Sequence, residues 1–158
     1  MEQTISARQL EAAYDAYGAA VFRLALAFLG QRADAEDVTQ ETFCRLLYRA
    51  PAFADEAHKK RWLLRVAANL SRNQLRGFWR KRVTPLEDTV PAGAPEEREA
   101  LNAVMALPEK FKLPIHLYYY EGYSVAEVAE ILKLGQSAVK MRLKRGRELL
   151  KLELGGSN

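Results

Sequence analysis

Five side chains between residues 61 and 76 are spaced so that a helix would present them on one face. They are Arg61, Arg65, Asn69, Arg72 and Arg76. The intervals of 4, 4, 3 and 4 residues follow the period of an α-helix. A row of guanidinium groups can track a phosphate backbone, and an amide among them can contact bases. The chemistry that this pattern predicts is nucleic-acid binding.

Aromatic residues flank this basic row at Phe53, Trp62, Phe78 and Trp79. Basic side chains interleaved with aromatic ones suit single-stranded nucleic acid, because unpaired bases can stack on rings or enter pockets. The alternative is that the arginines form an ordinary solvated surface over a core residue. For Trp62 itself a place in the core is the favoured interpretation.

A second basic stretch, SVAEVAEILKLGQSAVKMRLKRGRELL, covers residues 124–150. Ser124 and Glu127 form a capping box ahead of apolar residues on one helix face, and the pattern breaks near Gly135. The following helix would expose Gln136, Lys140, Met141, Lys144 and Arg147 opposite its apolar side. A DNA-reading helix-turn-helix has this arrangement, since N-terminal side chains reach base edges while nearby cations hold phosphates. The alternative is a basic, solvated helix of a helical hairpin.

An acidic segment, DAEDVTQETFCRLLY at residues 34–48, carries the opposite charge. Its first half holds four acids and a glutamine: Asp34, Glu36, Asp37, Gln40 and Glu41. Acids at a helix start stabilise the helix dipole, so one or two of them require no further role. The full set also fits a protein partner with a basic or polar surface, and both interpretations stay open for this segment alone.

The distribution of charge is more informative than its sum, which is +4 over 158 residues. Nine basic residues and no acid lie between Lys59 and Arg82, and seven basic residues with one acid lie between Lys133 and Lys151. Such segregation predicts two basic surfaces and one acidic surface. The hydrophobic content of 49% is sufficient for a packed core.

We expect an all-α fold of two small helical domains joined by a flexible linker. The first domain spans residues 7–80, the linker 81–96 and the second domain 97–153. The linker stretch RKRVTPLEDTVPAGAPEE has no helical period and is rich in proline, which is typical of an extended segment.

Three helices are expected in the first domain. Ser6 and Gln9 resemble a capping box for a helix that runs to Gly30, and Asp34 is expected to cap a second helix that ends near Arg49. The expected inward positions are Leu10, Tyr14, Tyr17, Val21, Leu24 and Phe28 in the first helix, and Trp62, Val66 and Leu70 in the third.

Two prolines interrupt the run from Leu107 to Tyr120 in the second domain. Pro108 lies near its start and Pro114 inside it, so we expect a kink or two short helices. The following EGYS is expected to turn the chain into the helix-turn-helix.

No catalytic constellation, metal site or cofactor site is expected. His58 and His116 lack cysteine or carboxylate neighbours at metal-ligand spacing, and phosphate-binding glycine motifs are absent from the sequence. Cys44 is the single cysteine, so it forms no internal disulfide, and its helical pattern predicts a small buried residue. The N-terminus does not resemble a signal peptide and AAVFRLALAFL is short for a membrane span, which favours a cytoplasmic protein without membrane insertion.

Taken in order, these motifs resemble the extracytoplasmic-function (ECF) sigma factors of the sigma-70 family. The motifs are DAEDVTQETF, the W-L-x-R-V-A-x-N pattern, a linker, LPEKF, and EGYSVAEVAEIL with its basic helix. The resemblance extends from about Leu10 to Leu152. It implies a promoter-specificity subunit of bacterial RNA polymerase, without catalytic activity or cofactor. The implied partners are the β′ clamp helices and β flap of core polymerase, promoter DNA and an anti-sigma factor.

The resemblance also implies roles for individual residues. The implied core-polymerase contacts are Asp34, Asp37, Gln40, Glu41 and Phe43. The implied contacts to the −10 element are Phe53, Arg61, Arg65, Asn69, Arg72, Asn73 and Arg76. The implied contacts to the −35 element are Gln136, Ser137, Lys140, Met141, Arg142, Lys144 and Arg145, with Arg142 and Arg145 on phosphates.

Two residues depart from the family pattern. The family usually has glycine near Lys133 and a small polar residue near Met141. Because methionine lacks the hydroxyl group that could bond a base or phosphate, the family's −35 specificity does not transfer to this chain.

Two other functions compete with this interpretation. A stand-alone helix-turn-helix regulator would bind duplex DNA without polymerase, but it leaves the acidic helix unexplained. A sigma-like decoy would bind an anti-sigma protein and no promoter, which the retained basic residues from Arg72 to Arg76 disfavour.

Overall fold

The computed structural model describes residues 5–78, 99 and 102–153, with side chains at 5–74, 99 and 102–151. The helices with both ends described are α1 (Ala7–Leu29), α2 (Arg32–Arg49), α3 (Glu56–Phe78), α4 (Glu109–Ile115) with a π-helical continuation (His116–Tyr120), α5 (Val125–Leu132) and α6 (Gln136–Glu153). Residues 102–105 are helical as well. No β-strand occurs in this described part, and the expected all-α class is confirmed. The expected linker, residues 81–96, lies outside the described residues.

Both ends of α1 follow the sequence prediction. The Ser6 hydroxyl accepts a hydrogen bond from the Gln9 amide at 3.1 Å, while the Gln9 side chain accepts one from the Ser6 amide at 2.9 Å. At the other end Gly30 adopts φ 81°, a left-handed conformation in which a side chain would be strained. These caps fix where the first helix begins and ends.

The buried face of α1 is shorter than predicted. Val21, Leu24 and Phe28 are at most 1% exposed, as expected. Tyr14 was predicted to face inward, but it is 53% exposed. Its ring packs beside Gly18 and against Phe43, with the two ring centroids 5.1 Å apart. A phenol can keep its polar end in water in this way, so its place in the apolar period is a poor guide to burial.

Two expectations for α2 were wrong. The N-cap is Gln31, without a side-chain cap, and Asp34 lies in the first turn, where its charge can still favour the helix dipole. Cys44 is exposed rather than buried. The buried face of α2 runs through Val38, Thr42 and Leu46, which are spaced by four residues, and Cys44 falls outside that stripe.

The core-facing side of α3 agrees only in part with the prediction. The buried residues are Leu63, Leu64, Ala67, Ala68 and Ser71. The larger predicted residues, Trp62, Val66 and Leu70, are only half-buried. Trp62 and Leu70 still pack against the core from the edge of this buried face. The predicted core contact of these two residues is therefore present, but their burial is incomplete.

The irregularity expected between Leu107 and Tyr120 is present in another form. Pro108 is the N-cap of α4, where its missing N–H is not needed. Pro114 lies inside α4, and one residue after α4 ends the helix widens into a π turn at His116. The π geometry is seen where the Glu121 amide donates to the His116 carbonyl at 3.0 Å.

The helix-turn-helix is confirmed in detail. Ser124 and Glu127 form the predicted capping box of α5. Lys133 ends α5 in a left-handed conformation at φ 57°, which explains why glycine suits this position. On α6, Gly146 lies so close to α4 that an added Cβ would be 2.7 Å from Ile115. That contact fixes the inward side of α6.

The two halves of the described chain are in contact. Helix α4 lies against α1, and α5 lies against α3. The buried Lys112 ammonium of α4 donates to the Phe28 carbonyl, 3.2 Å away in the last turn of α1, where helix carbonyls lack partners. Burial lowers the pKa of Lys112, with a smaller opposing effect from Glu109.

Helix α1 is long and apolar enough to qualify as a membrane span by length and composition, although its apolar stretch was predicted to be too short. Half of its most apolar stretch is buried within the structure. Core helices of globular proteins can have the same length and composition.

Candidate nucleic-acid and polymerase interfaces

The acidic side of α2 is exposed. Asp37, Gln40 and Glu41 face solvent, and Asp34 is half-buried. Glu41 pairs with Arg45 on the next turn at 3.1 Å, an exposed pair that contributes little to stability. The structure therefore brings the four polar residues implied as polymerase contacts onto one helix.

Phe43, the fifth residue of that set, lies beneath the surface. It is 5% exposed and packs edge-on against Tyr14. Its position supports the α1–α2 contact. A partner that approaches α2 would first meet Tyr14 and the acidic side chains.

The acidic side of α2 and the C-terminal part of α3 form one open groove of about 430 Å³. Asp37 and Glu41 line one wall, and Asn73 and Gln74 line the other, with Leu70 between them. The residues implied in polymerase and −10 contacts are thus neighbours across this groove.

The amide in the basic row of α3 is held by an arginine. Arg72 Nη2 donates to Asn69 Oδ1 at 2.8 Å, and Asn69 and Asn73 are both exposed. This bond leaves the NH₂ group of the Asn69 amide directed away from the arginine, free to donate to a base. The Arg76 side chain, the last of the row, lies outside the described side chains.

The other half of the row is engaged by α5. Arg61 Nε lies 3.0 Å from Glu130 Oε1, an ion pair by distance whose N–H is poorly aligned for a hydrogen bond. Arg65 Nη2 donates to the Glu130 carbonyl at 3.1 Å. The structure therefore divides the predicted row: Arg61 and Arg65 contact the second half of the chain, and Asn69 and Asn73 remain exposed.

The loop before α3 is an ordered aromatic cluster. The Phe53 ring packs edge-on against His58 and Trp62, with centroids 5.3 and 5.5 Å away. The His58 ring accepts the Ala54 amide at 3.0 Å, and the Asp55 carboxylate accepts the His58 amide at 2.8 Å. This cluster holds Phe53 at the start of the basic face, and Trp62 serves both as its support and as a half-buried core residue.

The outer side of α6 is open to solvent. Six of the seven residues implied as −35 contacts are exposed there: Gln136, Ser137, Lys140, Met141, Lys144 and Arg145. Arg142 is half-buried and lines a groove of about 400 Å³ with Phe111 and Lys110 of α4. Val139 and Leu143 lie on the opposite, buried side. All seven side chains implied in −35 contacts are thus on or beside one face.

A polar cluster between α1 and the π-helical segment was missed by sequence reasoning. Arg23 forks onto Glu121 with Nε–Oε2 and Nη2–Oε1 distances of 2.8 and 3.0 Å. His116 is fully buried, and its Nε2 lies 3.3 Å from Glu121 Oε2 without good hydrogen-bond alignment. Burial raises the pKa of Glu121, but the contacts of His116 and Arg23 outweigh it and lower that pKa to about 2. Residues 98 positions apart make this pair, so local pattern could not reveal it.

The described residues contain no cluster of histidine, cysteine, aspartate or glutamate suited to a metal ion. What the surfaces offer is charge, hydrogen-bond donors and aromatic rings on fixed helices. Such an arrangement can bind anions and bases and can dock on a protein.

Two family models match the chain in order. The model described as sigma-70 region 2 matches residues 13–81, and the model described as sigma-70 region 4 matches residues 103–152. The first contains the acidic α2 and the basic α3, and the second contains the helix-turn-helix.

Similar curated proteins carry the same family name. The chain is 31% identical over 156 residues to the ECF RNA polymerase sigma factor SigL of Mycobacterium tuberculosis, covering 92% of this chain and 88% of SigL. It is 28% identical over 160 residues to the ECF RNA polymerase sigma factor SigW of Bacillus subtilis, covering 89% and 86%.

Solved structures share the fold. The sigma factor RpoE of Bartonella quintana, in complex with the anti-sigma factor NepR, matches with a TM-score of 0.74 at 18% identity, over 96% of this chain and 99% of that chain. CnrH in complex with the cytosolic domain of CnrY matches with a TM-score of 0.69 at 24% identity, over 97% and 92%. With both sigma-70 regions matched in order, and with relatives of this identity and coverage, the chain belongs to the ECF RNA polymerase sigma factors.

Proposed function

We propose that this ECF sigma factor directs bacterial RNA polymerase to promoters by dividing the work among three helices. Helix α2 docks on core polymerase, α6 holds the −35 duplex, and α3 captures the unpaired −10 strand. The observation that carries the proposal is one acidic and two basic faces on separate helices, within the two matched sigma-70 regions. Residues 7–80 and 97–153 are the proposed domains, with residues 81–96 as their linker.

Docking on polymerase is assigned to the exposed acidic side of α2. Asp34, Asp37 and Glu41 supply negative charge and Gln40 supplies an amide, a set that suits the β′ clamp helices. Phe43 packs against Tyr14 and so stabilises the contact between α2 and α1. Charge of this kind speeds encounter and fixes orientation more than it adds affinity.

Capture of the −10 strand is assigned to α3 and the aromatic loop before it. Each base taken out of the duplex costs a few kcal/mol of lost stacking, which contacts with the protein must offset. Asn69 and Asn73 supply amides for base edges, Arg72 supplies charge, and Phe53 offers a ring beside Trp62. Stacking of a base on an aromatic ring contributes about 1–3 kcal/mol. The free energy gained from such contacts is therefore comparable with the cost of unstacking the base.

Recognition of the −35 duplex is assigned to α6. Residues Gln136 to Met141 form its first turns, which enter the major groove in helix-turn-helix proteins, and Lys144 and Arg145 follow on the same exposed side. Arg142 and Arg145, which line a groove between α4 and α6, are the proposed phosphate contacts. The second domain is also proposed to contact the β flap of polymerase.

Control by an anti-sigma factor is proposed as well. The two similar solved structures are sigma factors bound to proteins: RpoE to the anti-sigma factor NepR, and CnrH to the cytosolic domain of CnrY. A protein that binds polymerase and DNA by surface contacts needs no catalytic group or cofactor, and we place it in the cytoplasm where polymerase works.

The test is reconstitution of transcription from purified parts. The chain is mixed with bacterial core polymerase and a library of promoter DNA, and transcription starts are mapped. Starts at one class of paired −35 and −10 sequences, lost with Lys140→Ala or Asn69→Ala, support the proposal. Binding to duplex DNA without binding to polymerase would instead indicate a stand-alone regulator.

A further inference from the structure

Met141 is an exposed apolar residue on the DNA-facing side of α6. Its side chain is 70% exposed, and the other large hydrophobic residues exposed in the described part of the chain are tyrosines, which carry a hydroxyl group. Lys140 precedes it and Lys144 follows one turn later, and both are exposed. What sets Met141 apart is its place beside two cations on the side of α6 that is proposed to enter the major groove.

The major groove offers one apolar group, the C5 methyl of thymine. The methionine thioether has no hydrogen-bond donor and accepts only weakly, so it cannot satisfy the N7 and O6 acceptors of guanine. We propose that Met141 recognises a thymine methyl in the −35 element. This inference rests on the proposed function of α6 and adds the chemistry of one of its base contacts.

Replacement of thymine by deoxyuridine tests the contact, because it removes only the methyl group. A −35 duplex selected by the holoenzyme is synthesised with each thymine replaced in turn. At one position the replacement is expected to weaken binding about 3- to 5-fold, the effect of one buried methyl group. Met141→Ala should show no further loss at that position, whereas Met141→Leu should retain the sensitivity.

The proposal fails if no thymine-to-deoxyuridine replacement weakens binding. It also fails if the replacement weakens binding by the same factor in Met141→Ala and in the wild type. These outcomes are distinct from failure of the proposed function, in which the holoenzyme would select no −35 sequence at all.

Discussion

The two basic helices look alike in the sequence but differ in the structure. On α3 the first two arginines of the row, Arg61 and Arg65, contact Glu130 of the other half of the chain. On α6 the cations Lys140 and Lys144 face solvent beside Met141. One surface is partly engaged within the chain and the other is open. Spacing therefore predicts which side chains share a face, while availability depends on contacts that only the fold reveals.

The largest expected effect lies on the open surface. Lys140→Ala with Lys144→Ala should weaken binding of the −35 duplex by the holoenzyme on the order of 100-fold and reduce the salt slope by about 2, because two phosphate or base contacts are lost. Titration at several salt concentrations measures both values. Arg49→Ala removes a cation from α2 and should leave the slope unchanged; an equal loss in that control would show a general charge effect.

The next effect concerns the part-buried ion pair between Arg23 and Glu121, which joins the two halves of the chain. The pKa of Glu121 is lowered from 4.5 to about 2, so its stabilising effect is present above pH 4.5 and is lost as pH falls towards 2. At 1.36 kcal/mol per pKa unit the contribution is about 3 kcal/mol. Glu121→Gln should therefore flatten the dependence of unfolding free energy on pH in that window.

Denaturant unfolding at a series of pH values measures this dependence. Glu127→Gln is the matched control, because that carboxylate caps α5 by accepting a hydrogen bond from the Ser124 amide. An unchanged pH profile in Glu121→Gln would mean that the Arg23–Glu121 pair does not persist in solution.

A smaller effect compares the capping boxes of the two halves. Ser124→Ala removes the cap of α5 and should destabilise the chain by about 1 kcal/mol, as should Ser6→Ala at α1. If the halves unfold together, both variants shift one thermal transition. Two separate transitions, each moved by one variant, would show that the contact between the two halves is weak.

The smallest effect is a stabilisation. Lys133 holds a left-handed conformation at φ 57° that costs a side-chain-bearing residue about 1 kcal/mol, so Lys133→Gly should raise the unfolding free energy by about 0.5–1 kcal/mol. Thermal melting measures it. Lys151→Gly, within helix α6, is the contrasting control and should destabilise.

The parts of the fold with local signals were predictable. The capping boxes at Ser6 and Ser124, the stop at Gly30 and the helix-turn-helix all depend on residues within a few positions of one another. Burial within helices was less predictable, as Tyr14 and Cys44 show, because a helical period does not say which of two flanking faces meets a neighbour.

The contacts between the halves could not be predicted at all. Arg23 and Glu121, or Arg61 and Glu130, carry no signal in their own neighbourhoods that marks them as partners. The family resemblance supplied roles for residues on each helix. It did not show that α5 would engage part of the −10 surface.

The most direct test of the account is permanganate reactivity of −10 thymines in complexes of the holoenzyme with promoter DNA. Permanganate oxidises unpaired thymines, so it reports strand capture separately from duplex binding. The wild type should bind and expose reactive thymines, Asn69→Ala should bind with little reactivity, and Lys140→Ala should bind more weakly but expose thymines in the complexes that form. Equal reactivity in wild type and Asn69→Ala, or loss of duplex binding in Asn69→Ala, would contradict the division of work between α3 and α6.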